Sequence, residues 1–219
     1  MSNITLVRHG QANTGARDEA NYDSLSDLGQ QQAAWLGQHI RNTGEHYERF
    51  YSGTLTRHRQ TAAGMALCEA EALMLDERLN EMEFFTLANL LQQQQNVPIP
   101  QEREEFVTYL PMLMNKWRAS EIDNPPESYQ TFQTRTQSVI EEISQGRGAA
   151  IVVTSGGLIA MALRGVLDLD TQGFSRLALA IMNSSMHRLH SVGGDLMMTQ
   201  FNTVPHLEDR ERHHAQTHL

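Results

Sequence analysis

The spacing of apolar positions changes repeatedly along this chain, and each change marks an element. Residues 4–7 form a short β-rich run that ends at Arg8-His9-Gly10, the pattern of a buried strand feeding a loop. Over 26–41 the apolar positions Leu28, Ala33, Leu36 and Ile40 fall at helical spacing, with Ser26 or Asp27 available as N-cap. Residues 50–52 read as a short strand, and 56–72 as a helix rich in Ala, Met and Leu. This alternation predicts a parallel sheet covered by helices.

The middle departs from that rhythm. Residues 85–96 are helical up to Gln92-Gln93-Gln94-Gln95, a solvated face, and Val97-Pro98-Ile99-Pro100 then breaks the helix. A second helix is expected over 101–119, closed by Asp123-Asn124-Pro125-Pro126. Alternation resumes with a helix over 127–144 carrying Phe132, Val139, Ile140 and Ile143. The clearest buried strand follows at 149–153, ending at Thr154-Ser155-Gly156-Gly157, where a helix to about 167 begins. Strands near 177–181 and 196–201 complete the expected sheet. The expectation is an α/β fold with three α/β/α layers on a mostly parallel sheet. It forms a single domain over 1–219, with a helical insertion at about 85–124 over the active-site face.

Composition narrows the function. Of 219 residues, 40% are hydrophobic and 20% charged, which rules out a disordered chain. Lys+Arg 17 against Asp+Glu 26 gives a formal charge of −9, which argues against nucleic acid or an anionic membrane surface as partner. Cys68 is the only cysteine, so no intramolecular disulfide and no Cys-rich zinc site is expected. No stretch approaches the ~18 apolar residues of a membrane span, and Arg8 and His9 arrive before any signal-peptide run. A cytoplasmic protein is expected.

The candidate chemistry sits at strand ends. In open α/β sheets ligands bind outside the carboxyl ends of strands, where Arg8 and His9 lie. Arginine offers a fork of donors to phosphate oxygens, and an imidazole can act as nucleophile toward phosphorus. Taken alone, the triplet also suits an exposed loop.

The chain resembles the histidine phosphatase superfamily, with its phosphoglycerate-mutase-like fold, almost from end to end. Arg8-His9-Gly10 matches the family's signature, and Asn13 stands where the family often has a substrate-contacting polar residue. Leu25-Ser26, Gly29 and Gln32-Ala33 are similar to its first-helix pattern, and the segment 52–62 to the one that supplies a second phosphate-binding arginine, here Arg57. Leu79-Asn80-Glu81 matches the segment of the proton-donating glutamate, with Glu83 as the nearby rival. Glu127-Ser128-Tyr129 with Arg135, and Asn202 with Pro205-His206-Leu207, are further family-like features.

The resemblance implies a role for each. His9 would attack phosphorus and become a phosphohistidine, Arg8 and Arg57 would neutralise the equatorial oxygens, and Glu81 would protonate the leaving alkoxide. That last role requires a raised carboxyl pKa, from burial or anionic neighbours. One position departs from the family. Ser155 occupies the place of the second histidine, after the strand at 149–153. Losing a preorganised donor to a transition-state oxyanion typically lowers kcat by ~10²–10³. Ser155, with the backbone N–H of Gly156 at a helix start, still offers donors to an anion.

The implied function is a phosphoric monoester hydrolase acting on a small phosphorylated molecule, weakened or redirected by Ser155. The alternative is a catalytically inactive module binding a phosphate ester or a protein. Isomerisation ranks below hydrolysis, and Ser155 itself as nucleophile lower still, because Val153 stands where a nucleophile elbow has Gly. Neither metal nor cofactor is needed. His58, Arg59, His187 and Arg188 are candidates to replace the missing charge in the pocket, although a surface position is the favoured reading of each; His206, His213, His214 and His218 are read as a terminal segment with a flexible polar tail rather than as a metal site. The insertion, with Arg103, Lys116 and Arg118 as its basic residues, would contact the leaving group. Substrate identity and oligomeric state are not legible, although a homodimer is the commonest closed assembly.

Overall fold

The computed structural model describes residues 3–218, the side chain of residue 103 excepted. The chain begins with β1 (Asn3–Arg8), α1 (Glu19–Tyr22), α2 (Asp27–Thr43), β2 (Arg49–Ser52), α3 (Thr56–Met65) and β3 (Leu73–Leu75). The helices α4 (Phe84–Gln95), α5 (Phe106–Arg118) and α6 (Tyr129–Gln145) follow. Then come β4 (Ala149–Thr154), α7 (Gly156–Val166), α8 (Thr171–Ala180), β5 (Met186–Val192) and β6 (Asp195–Thr203). The six strands form one sheet in the order β3-β2-β4-β1-β5-β6. β3, β2, β4 and β1 pair in parallel, while β5 runs antiparallel to β1 and β6.

Strand alternation builds the layers. Ile4 and Leu6 of β1, with Ala150 and Val152 of β4, face a large cluster filled by α4 to α8. Val7, Ile151 and Val153 point the other way, onto Ala33, Leu36 and Ile40 of α2 and Met65 of α3. The period of two in the strands and 3.6 in the helices therefore yields three layers, as expected. Caps behave as the sequence suggests: the Ser26 hydroxyl accepts the Gly29 N–H at the start of α2. Among the described residues, no helix is long and apolar enough to cross a membrane.

Several expectations need correction. Residues 177–181 do not form a strand; all but Ile181 lie in α8, because Asp170 caps the Gly173 N–H and Phe174 anchors the helix in the core. The strand next to β1 is instead β5, in which Met186, His187 and Leu189 are buried. The helix expected over 56–72 stops at Met65, where Ala66 turns left-handed (φ 48°), and three of the following residues form the edge strand β3. The insertion contributes α4 and α5 to the large cluster; Leu91, Leu113 and Met114 are fully covered. The tail is not a free polymer either. Two 3-10 turns, Pro205–Leu207 and Arg210–Ala215, place Leu207 and Ala215 in a small apolar cluster beside α2.

Candidate active site

Parallel pairing aligns Arg8 with Thr154, so the residues that follow, His9 and Ser155, leave adjacent strand ends together. The His9 N–H donates to the Thr154 carbonyl (2.9 Å), and the Ser184 N–H donates to the His9 carbonyl (3.2 Å). The loop after β1 is pressed against α2: a Cβ on Gly10 would lie 2.3 Å from the Gly29 carbonyl oxygen, and one on Gly29 2.1 Å from that of Gln11. Only glycine permits this approach. The Gly10 N–H donates to Thr61 Oγ (3.1 Å), whose hydroxyl donates to the Arg57 carbonyl (2.7 Å), so the loop and α3 are locked together.

His9 is buried, and its Nδ1 lies 2.7 Å from the Gly10 carbonyl oxygen. A carbonyl only accepts, so Nδ1 carries the proton and Nε2 presents its lone pair. Burial first, then the Arg57 and Arg8 guanidinium charges, hold the imidazole well below its ordinary range and hence neutral. Arg8 donates through Nη1 to the Ile181 carbonyl. Arg57 pairs with Asp23 (3.0 Å) and lies over the Tyr22 ring (5.1 Å from Cζ to centroid). Both side chains are buried, and neither Nε has a hydrogen-bond partner among the described residues. Both guanidinium charges act on the neutral imidazole, and each leaves a buried donor that an oxyanion could satisfy.

Glu81 closes the group. Its Oε2 accepts the Gly157 N–H (2.8 Å) at the start of α7, and its Oε1 accepts the Met82 N–H (3.1 Å). Burial raises its pKa, opposed by those two N–H groups and by Arg57 and Arg8. A Cβ on Gly157 would sit 2.5 Å from Oε1, so the glycine makes room for the carboxylate. Glu83 is exposed and accepts from Thr86. Gly156 is buried beside Arg8. Asn13 is exposed and spends its amide on the Asn21 carbonyl (3.1 Å) and the Gly15 N–H (3.2 Å), shaping its own loop.

Some participants were not singled out by sequence reasoning. The short α1 segment delivers Glu19, whose Oε1 accepts the Phe85 N–H (2.8 Å) at the start of α4. It also delivers Asp23, which accepts the Thr56 and Arg57 N–H groups (2.9 and 3.2 Å) at the start of α3. The N-cap residues Leu55 and Glu83 themselves supply no side-chain cap. This four-residue helix and the residue that ends it thus cap two other helices and hold Tyr22 against His9, ring centroids 6.2 Å apart. His58 and His187, expected at the surface, are both fully buried. The signal for His58 was its helical spacing from Thr61 and Met65, which are also buried. Arg188 is half-buried and paired with Glu45 (2.6 Å), while Arg59 is exposed as expected.

The buried histidines have a consequence for stability. Burial is the first cause that lowers each of His9, His58, His187 and His206, the last two to about 3. Such a group stabilises the fold above its unfolded value and loses that contribution as pH falls from ~6.5 toward the folded value. From pH 8 to 5, His187 and His206 should each cost about 2 kcal/mol, a large share of the ~5–15 kcal/mol of a typical domain. Urea midpoints at pH 8, 6 and 5 should fall steeply, and His206→Gln should reduce the slope by about one proton; parallel slopes would contradict this account.

Comparison with known proteins agrees with the fold. A family model described as the histidine phosphatase superfamily (branch 1) matches residues 4–203. No curated protein sequence matches at a significant level. Among solved structures, a phosphoserine phosphatase mutant from Entamoeba histolytica in complex with phosphoserine is similar with a TM-score of 0.70 and 19% identity, covering 94% of this chain and 100% of that one. A phosphoglycerate mutase from Bacillus anthracis gives 0.68 and 21%, covering 94% of each chain. A mycobacterial glucosyl-3-phosphoglycerate phosphatase complexed with VO3 gives 0.64 and 21%, covering 92% and 98%.

Proposed function

The chain belongs to the histidine phosphatase superfamily (branch 1), and from that membership we propose that it hydrolyses a small phosphate monoester through a phosphohistidine on His9. The observation that carries the reading is the state of His9: Nδ1 is pinned to the Gly10 carbonyl, which leaves Nε2 as the lone pair of a neutral imidazole that feels the charges of Arg57 and Arg8, two buried guanidinium groups whose Nε atoms are unpartnered among the described residues. Nε2 attacks phosphorus as the ester P–O bond breaks. The two guanidinium groups receive the charge on the equatorial oxygens, and Glu81 gives its proton to the departing alkoxide. The resulting carboxylate takes a proton from water, which attacks the phosphohistidine and frees inorganic phosphate. Water and ester enter; alcohol and phosphate leave.

The purified protein should hydrolyse a generic aryl phosphate, and acid-labile phosphoryl should be trapped on His9 by rapid quench and mass spectrometry. A buffer-level rate over a broad panel of phosphate esters would instead favour a binding module.

Arg135 supports the acid. It forks onto Glu127 (2.6 and 2.9 Å) and donates to the Arg78 and Asn80 carbonyls (2.8 and 2.6 Å), fixing the segment that ends in Glu81. Small displacements of a reacting group cost up to about 10²-fold. Arg135→Met should therefore lower kcat by about tenfold or more with KM little changed, as steady-state kinetics will show.

A further inference from the structure

We propose that His58 and Ser155 form a relay in which the imidazole orients the serine hydroxyl onto a phosphoryl group held at His9; this rests on the phosphatase reading above. His58 Nε2 lies 2.6 Å from Ser155 Oγ, and both side chains are buried. The His58 ring lies beside that of His9, centroids 5.7 Å apart.

Two independent features say that this contact is built in. Ser155 occupies the N-cap position of α7, where a serine ordinarily accepts an N–H from the first turn, yet its hydroxyl makes no such bond. Glu81 takes the Gly157 N–H instead, which leaves Ser155 to His58. Room for the ring comes from Gly53: a Cβ there would lie 2.2 Å from His58 Nδ1.

The direction of the hydrogen bond follows from that same atom. Nδ1 is buried and has no hydrogen-bond partner among the described residues. An orphaned N–H is the rarer and costlier arrangement, so the proton resides on Nε2. Nε2–H then donates to Ser155 Oγ, and the serine O–H is turned away from the ring, free to donate to an oxyanion. Burial and the Arg57 charge keep the imidazole neutral, consistent with a single Nε2 proton. His58 is thus a positioning residue that acts through Ser155, and the strand-end donor is a hydroxyl of fixed direction.

A double-mutant cycle tests the relay. Ser155→Ala should lower kcat by about 10² with a smaller change in KM. His58→Phe should give a similar loss, and the two together no more than the larger single one. His58→Gln, which retains a donor, should recover most of the rate. If His58→Phe does not fold, His58→Asn, too short to reach Ser155, carries the same expectation. Multiplying losses would sink the relay. So would singles within twofold of the parent, while abolition by His9→Ala left the phosphatase reading standing. Should the parent turn over no ester, that reading fails, and orthophosphate binding by calorimetry decides the relay. Equal weakening in Ser155→Ala and His58→Phe supports it; unchanged binding, or none in the parent, refutes it.

Discussion

Replacing His9 with alanine is expected to bring aryl-phosphate hydrolysis down to the uncatalysed rate. The other imidazoles near the strand ends are committed elsewhere: His58 to Ser155, and His187 to Ser185 (3.0 Å) and the Asn202 N–H (3.2 Å). The one rival nucleophile is Ser155, whose hydroxyl contacts an imidazole as in a serine–histidine pair. No carboxylate orients that imidazole, however, since its far nitrogen is orphaned among the described residues. The trapped intermediate separates the two. Phosphohistidine is lost in acid and phosphoserine survives it. An acid-stable adduct on Ser155, together with activity remaining in His9→Ala, would move the nucleophile there. Because Nδ1 of His9 bonds only within its own loop while the ring packs on Tyr22 and His58, the alanine variant should fold, with a urea midpoint lowered only by the lost ring packing.

Glu81→Gln should lower kcat by about 10²–10⁴ and change the pH profile in one direction. A general acid acts in its protonated form, so the alkaline limb of kcat falls as pH rises through the raised Glu81 pKa. In the glutamine variant that limb should flatten. The acid limb, set by protonation of His9 below its ordinary range, should remain. Linkage adds a second readout. A carboxyl whose folded pKa is raised stabilises the protein below the unfolded value and loses that contribution as pH rises through the folded value. The variant removes the titration but sets its amide nitrogen against one of the two backbone N–H groups that the carboxylate accepts, so at pH 7 it should be less active, and its urea midpoint should lose the part of the pH dependence that Glu81 contributes. A variant whose kcat keeps the parent's alkaline limb would indicate a structural rather than an acid role.

Much of the scaffold was legible because local chemistry and global position agree in it. The apolar run of β4, the Ser26 cap and Arg8-His9-Gly10 each carry their meaning within a few residues. What escaped depends on partners far along the chain. Residues 177–181 have the composition of a strand, and only the cap at Asp170 and the burial of Phe174 decide for helix. β3 is three residues long, below any useful period. His58 stands between two arginines, and that charge suggests solvent; its burial depends on Gly53 and Ser155, the latter 97 positions away. The capping of α3 and α4 by Asp23 and Glu19 was equally hidden, since a cap is ordinarily sought at the helix's own first turn.

The central place of β1 sets the order in which this protein becomes itself. Its two neighbours are residues 149–154 and 186–192, so this segment is secured by segments made well after it. Until both have left the ribosome, His9 has no strand end to stand on and Arg8 no Ile181 carbonyl to hold. Chains dominated by such distant pairings fold slowly. Assembly of the sheet centre therefore waits on segments made well after it, and a nascent chain carries the histidine proposed as nucleophile through the synthesis of residues 10–192 before the strand ends that position it are in place.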